Sequence, residues 1–193
     1  YSNGLGREAA VVELTERGFI TIDEQLRTNV PNIYAVGDVS GDPMLAHRAS
    51  RQGEIAAEVI SGKSVAADYK TVPAVVFTDP EIATAGLSED EAKAQGFEIN
   101  VGKFPWAANG RALTQLESDG FIKVITDASD GQVLGVAIVG PHASDLISEA
   151  VLAIEMDAYA EDIGLTIHPH PTLGEAMMEA ANKALGHAIH VMN

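Results

Sequence analysis

The residues best suited to acid–base chemistry stand close together near the C-terminus, in His168-Pro169-His170-Pro171-Thr172-Leu173-Gly174-Glu175. Each proline locks its own φ and pushes the residue before it out of the α region, so this stretch is expected to run extended. His168 and His170, two apart in an extended chain, are then expected to point the same way. Leu173, Met177, Ala180, Ala181, Ala184 and Leu185 recur at helical spacing, which starts a helix here. Thr172 and Glu175 have the spacing of a capping box, placing Glu175 in the first helical turn. An imidazole oriented by a carboxylate at such a corner serves as a general acid or base near neutral pH. The same spacing also suits a carboxylate that only caps the helix, with histidines that only pack in a loop.

A second landmark is Gly37-Asp38. It follows Ile33-Tyr34-Ala35-Val36, an apolar run of buried-strand type, and a turn at Val30-Pro31-Asn32. Glycine at a strand end allows close approach of a ligand to the backbone, and the aspartate offers an acceptor for sugar-like hydroxyls. An Asx-type turn would use the same two residues.

The elements that must position these groups are read in chain order. Residues 1–15 are a weakly patterned lead-in, and Gly18–Ile22 has the look of a short strand. A helix opens at Met44-Leu45-Ala46-His47 and runs to about Ile60, where Ser61-Gly62 stops it. Ala46, Ala49, Gly53, Ala56 and Ala57 give it a face of small residues for close packing. Residues 63–70 read as a linker. Beyond it, a strand is expected over 72–78, a turn at Asp79-Pro80-Glu81, and a short helix capped at Ser88 and ended by Gly96. A strand over 98–106 is followed by a turn pair, Asn109-Gly110. Residues 120–126 and 133–139 form a hairpin around Asp130-Gly131. Ser144 or Asp145 caps a helix of about 146–158, and the final helix follows the His-Pro segment. Strands with helices set apart from them make the second half α+β.

The His168–Glu175 string closely resembles the active-site segment of the dihydrolipoamide dehydrogenases, typically His-x-His-Pro-Thr-Leu-Ser-Glu. These are FAD-dependent pyridine nucleotide-disulfide oxidoreductases. Gly174 departs from the usual Ser, and Pro169 replaces a usually small residue. Residues 28–38 resemble the second flavin-binding motif of that family, and residues 44–47 its Met-Leu-Ala-His segment, which favours the lipoamide branch over a glutathione-reductase-like one. Residues 75–83 and 104–113 resemble its dimerisation domain.

The resemblance implies an interface (dimerisation) domain over residues 69–193, with an antiparallel sheet and flanking helices. Before it, residues 1–68 would be the last part of an α/β FAD-binding domain. It implies His170 as the general base toward a substrate thiol, with Glu175 orienting the ring. Asp38 would hold a ribityl hydroxyl of FAD, and Met44, Leu45, Ala46 and His47 would lie against the flavin. It also implies NAD as co-substrate and a homodimer in which the histidine serves the partner's site. Lipoyl domains of a 2-oxoacid dehydrogenase or glycine cleavage complex would be the partners.

Composition narrows the alternatives. Twelve basic against twenty-eight acidic residues give a net charge of −16 on 193 residues. That opposes binding to a nucleic-acid backbone and suits solubility, including in high salt. No apolar run approaches the roughly 18 residues that a membrane span needs, and no signal-peptide pattern is present, so no membrane and a cytoplasmic location are expected. There is no cysteine, hence no disulfide or thiolate metal site within the chain. His168, His170, His187 and His190 lack a carboxylate or thiolate to complete a metal set, so no metal is expected. The redox Cys-x4-Cys pair and the Gly-x-Gly-x-x-Gly loops that the family uses are missing, and the chain begins at Tyr1 rather than Met. It is therefore expected to be the C-terminal part of a longer enzyme, inactive by itself; a non-catalytic dimerisation module is the alternative.

Overall fold

A computed structural model describes residue 4 and residues 6–192. The lead-in expected over 1–15 lies partly outside them. The chain divides into two compact units, Tyr1–Tyr69 and Lys70–Asn193.

The first unit is built on one long helix, α1 (Ala46–Ile60). Ile55, Ala56 and Val59 on its inner face bury against Leu26, with Ile22, Tyr34, Val36 and Tyr69 packed around them. The two strands expected here do not form. Ile20 and Tyr34 each make only an isolated bridge, to Leu14 and Arg27. A strand needs a neighbour along its whole length, and within this unit these segments meet one at a single residue. Gly37–Ser40 instead winds into a 3-10 turn.

The second unit is a five-stranded antiparallel sheet in the order β1-β2-β5-β4-β3. Its strands are β1 (Ala74–Val76), β2 (Glu81–Gly86), β3 (Ile99–Pro105), β4 (Phe121–Asp127) and β5 (Val133–Gly140). The expected hairpin is β4–β5, in register from Phe121 opposite Val139, with an irregularity at Ile125/Thr126. β2 begins at Glu81, the last residue of the expected turn, and the rest of it carries no sequence expectation, because its alternation of small residues, Ala83 and Ala85, is a faint strand signal.

Short helices cover the joints. α2 (Glu89–Ala94) starts at the capping box of Ser88 and Glu91. Asn109-Gly110 is not a turn pair. Asn109 is the N-cap of α3 (Gly110–Gln115), its side-chain oxygen accepting from the Ala112 N–H at 2.9 Å. α4 (Ala143–Glu155) begins before Ser144, with His142 as its N-cap residue. The carboxylate that satisfies its first turn is Glu81 of β2, which accepts from the Ser144 N–H at 2.9 Å. A short helix that the periodicity did not reveal, α5 (Ala160–Leu165), connects α4 to the His-Pro segment.

α6 (Glu175–Ala184) packs on β3 and β4, while α4 packs on β2 and β5. Alanine makes the close approach possible: Ala176, Ala180, Ala181 and Met177 are fully buried on the α6 face. Gly102 of β3 completes it, because a Cβ there would collide with the Ala180 carbonyl and the Ala184 amide. The helix that carries Glu175 is thus seated directly on the sheet.

Candidate active site

His170 and Glu175 meet as the sequence spacing implies. His170 Nδ1 lies 2.8 Å from Glu175 Oε1. The other carboxylate oxygen accepts from the Thr172 backbone N–H, also at 2.8 Å. Only half of the expected capping box is therefore present. The Thr172 hydroxyl turns away and donates to the Pro169 carbonyl at 2.6 Å, and α6 starts at Glu175 rather than after Thr172. The result is a carboxylate pinned by the backbone on one side and facing an imidazole on the other. Its side chain is 21% exposed, against 78% for His170. The ring is oriented at Nδ1 while the residue stands open to solvent, which suits proton exchange with an external group.

Burial pushes the Glu175 carboxyl up. The Thr172 N–H, the His170 hydrogen bond and the charges of His170 and His190 outweigh it, and the group stays ionised to lower pH than an ordinary carboxyl.

His168 does not share this arrangement. The segment bends at His170 and Pro171 instead of running straight, so the two rings take different partners. The His168 side chain is buried, with Nε2 2.8 Å from Glu149 Oε1 of α4 and Nδ1 2.9 Å from the Thr166 carbonyl. Asn109 fastens the same corner from the far side, donating to the Thr172 carbonyl at 3.1 Å. Farther along α6, buried Glu179 lies 2.6 Å from His190 Nδ1. Glu149 and Glu179 escaped the sequence reading, and Asn109 entered it only as a turn residue, since none stands near its partner at this corner or on α6 in the chain. Among the described residues, no group of three or more His, Asp and Glu is gathered as a metal site. No helix among them is long and apolar enough to cross a membrane.

In the first unit, Asp38 lies in the 3-10 turn, exposed, and its carboxylate makes no hydrogen bond or ion pair to another described residue. Met44, Ala46 and His47 are exposed and Leu45 is half-buried. Helix α1 begins just after Leu45, with no side-chain cap. Exposed apolar groups, an acceptor with no donor among the described residues and the positive end of a helix thus lie within ten residues of one another in sequence.

Residues 72–181 match the dimerisation domain of the pyridine nucleotide-disulphide oxidoreductases. The chain belongs to that family. Residues 2–53 match a second description of the same oxidoreductases. The dihydrolipoyl dehydrogenase of Halobacterium salinarum is 56% identical over 189 residues, which are 98% of this chain and 40% of that protein. That of Bacillus subtilis is 55% identical over 97% of this chain and 40% of its own length. The crystal structure of LpdA from Mycobacterium tuberculosis superposes with a TM-score of 0.87 at 33% identity, covering 94% of this chain and 40% of LpdA. RclA from Escherichia coli, an HOCl-induced flavoprotein disulfide reductase, gives 0.82 at 26% identity, over 89% of this chain and 40% of its own. The chain thus spans about 40% of the length of the relatives it matches. The antiparallel sheet with flanking helices is the dimerisation fold that the sequence reading expected of this oxidoreductase family.

Proposed function

We propose that this chain is the flavin-contacting and interface part of a dihydrolipoyl dehydrogenase, which oxidises a protein-bound dihydrolipoyl group and reduces NAD. The observation that carries the reading is the His170–Glu175 pair, an exposed imidazole held through Nδ1 at 2.8 Å by a carboxylate that the backbone itself fixes. The names and identities of the relatives support the choice of substrate.

His170 takes the proton from one thiol of the dihydrolipoyl group through Nε2, while Glu175 orients the ring and stabilises the imidazolium. Overall, the dithiol loses two electrons and two protons as its S–S bond forms. NAD⁺ takes up both electrons and one proton, and one proton is released. A bound FAD would supply the electron relay between the nicotinamide and a redox disulfide, whose cysteines this chain does not contain. Asp38 would hold it by accepting from a ribityl hydroxyl, and Met44, Leu45, Ala46 and His47 would lie against the flavin. The uncapped α1 N-terminus would favour negative charge on the bound group. The donor set fits, because Asp38 has an acceptor to offer and no described partner to give up.

The functional unit is a homodimer. Its apolar contact surface is supplied by Leu152, Met156, Leu165 and Ile167, all strongly exposed in the single chain. Lipoyl domains of a 2-oxoacid dehydrogenase or glycine cleavage complex bring the substrate, in the cytoplasm.

The test is steady-state NAD reduction by the full-length protein with dihydrolipoamide. Flavin-dependent turnover that requires His170 is expected. Turnover with glutathione and not with dihydrolipoamide would move the protein to the glutathione-reductase side. A folded dimer that holds no flavin would make it a dimerisation module.

A further inference from the structure

Arg48 and Gln52, one turn apart on α1, are both buried, at 9% and 2% exposure. A buried guanidinium is normally matched by a carboxylate. Arg48 has none among the described residues. Its Nη1 donates instead to the backbone carbonyls of Gly41 (2.7 Å) and Pro43 (3.1 Å), and its Nε to the Tyr69 hydroxyl at 3.4 Å. Gln52 donates to the same hydroxyl at 3.2 Å. Its side-chain oxygen accepts from the Gly37 N–H at 2.8 Å.

These bonds grip both ends of one loop. Gln52 holds Gly37, the residue before Asp38, and Arg48 holds the carbonyls of Gly41 and Pro43, the latter just before Met44. Gly37 sits at φ +72°, and a Cβ on it would meet the Ala49 Cβ at 2.8 Å, so the corner lies directly against α1. The network touches none of the exposed groups at Asp38 and Met44–His47 but determines where their backbone goes.

We infer that Arg48, Gln52 and Tyr69 are positioning residues that shape the Gly37–Met44 loop for the flavin, and that the unmatched Arg48 charge favours the ligand in its more negative, reduced state. The inference rests on the flavin reading of Asp38 and residues 44–47. A cation without a carboxylate costs stability in an apolar setting. An anionic ligand on the loop it supports would offset that cost. Gln52 is what leaves the charge unmatched, since a glutamate there would keep the acceptor for Gly37 and also neutralise Arg48.

The experiment uses the full-length holoenzyme and two variants, with FAD as the probe. Gln52→Glu keeps the shape, and the Tyr69 hydroxyl has only to reverse its bond. It is expected to leave the unfolding midpoint of the apoprotein unchanged or higher. The preference for reduced over oxidised flavin should fall about tenfold, a drop near 30 mV for a two-electron couple. Arg48→Leu removes charge-assisted hydrogen bonds, and the dissociation constant of FAD from the apoprotein should rise at least about tenfold. A Gln52→Glu protein with wild-type flavin potential overturns the charge role. An Arg48→Leu protein that folds and binds FAD like wild type overturns the positioning role, and if that variant fails to fold, Arg48→Lys, which keeps the charge without the two-pronged geometry, reads the same constant. Failure of the folded wild-type apoprotein to take up FAD would instead remove the flavin reading itself, which is a different result from either.

Discussion

His168 Nε2 lies 2.8 Å from Glu149 Oε1, a bond that joins the His170–Glu175 corner to α4 across nineteen residues of chain. Both ring nitrogens face acceptors, since Nδ1 lies 2.9 Å from the Thr166 carbonyl. The ring therefore anchors the segment that presents His170. Glu149→Ala leaves a buried donor without its partner and is expected to cost about 1–3 kcal/mol. Urea unfolding of the full-length protein measures it. Turnover should fall far less than on replacement of His170, because His168 acts only through the corner it holds.

His170→Gln keeps a polar side chain but removes the titrating ring. If His170 is the acid–base group, dihydrolipoamide-dependent NAD reduction should fall by about 10²–10⁴-fold. FAD content, read from the visible spectrum, should stay at the wild-type level. A variant that retains full kcat at neutral pH would leave the pair with a capping role only.

The Glu175 carboxyl is raised by burial but held below its ordinary 4.5 by the Thr172 N–H, the His170 ring and the nearby imidazole charges. A group lowered on folding adds stability that is present above its unfolded pKa and lost as pH falls through the folded one. Glu175→Gln should therefore be less stable than wild type at neutral pH, with the gap closing as the pH drops below about 4.5. Denaturation midpoints across that range give the answer, and a gap independent of pH would contradict it.

Gly102→Ala places a methyl group against the Ala180 carbonyl, where neither backbone can yield cheaply. Overpacking of this kind costs about 1–3 kcal/mol. Because α6 carries Glu175, the variant should also lose turnover out of proportion to its stability. Circular dichroism melting with parallel kinetics separates the two effects.

Ile167 is 94% exposed beside buried His168. In a homodimer whose contact surface includes it, Ile167→Glu buries a charge without a partner. A shift from dimer to monomer is expected by light scattering, with activity lost alongside.

What the sequence determined by itself was local. The helix start at Ser88, the β4–β5 hairpin and the long run of α1 depend on signals a few residues apart, and all three are where the spacing predicts. The His170–Glu175 contact spans only five residues, so its motif carried it. Tertiary structure decided the rest. Ser144 reads as a cap, yet it is Glu81, sixty-three residues earlier, that accepts from its N–H. Asn109 reads as a turn residue, yet it both caps α3 and holds the Thr172 carbonyl. The two histidines were expected to face together, and the bend at His170 and Pro171 gave each its own carboxylate. Backbone periodicity and capping depend on neighbours in the chain. Long-range partners depend on which faces the packed sheet and helices bring together, and that is fixed only once α6 has closed over Gly102 and the sheet has its order.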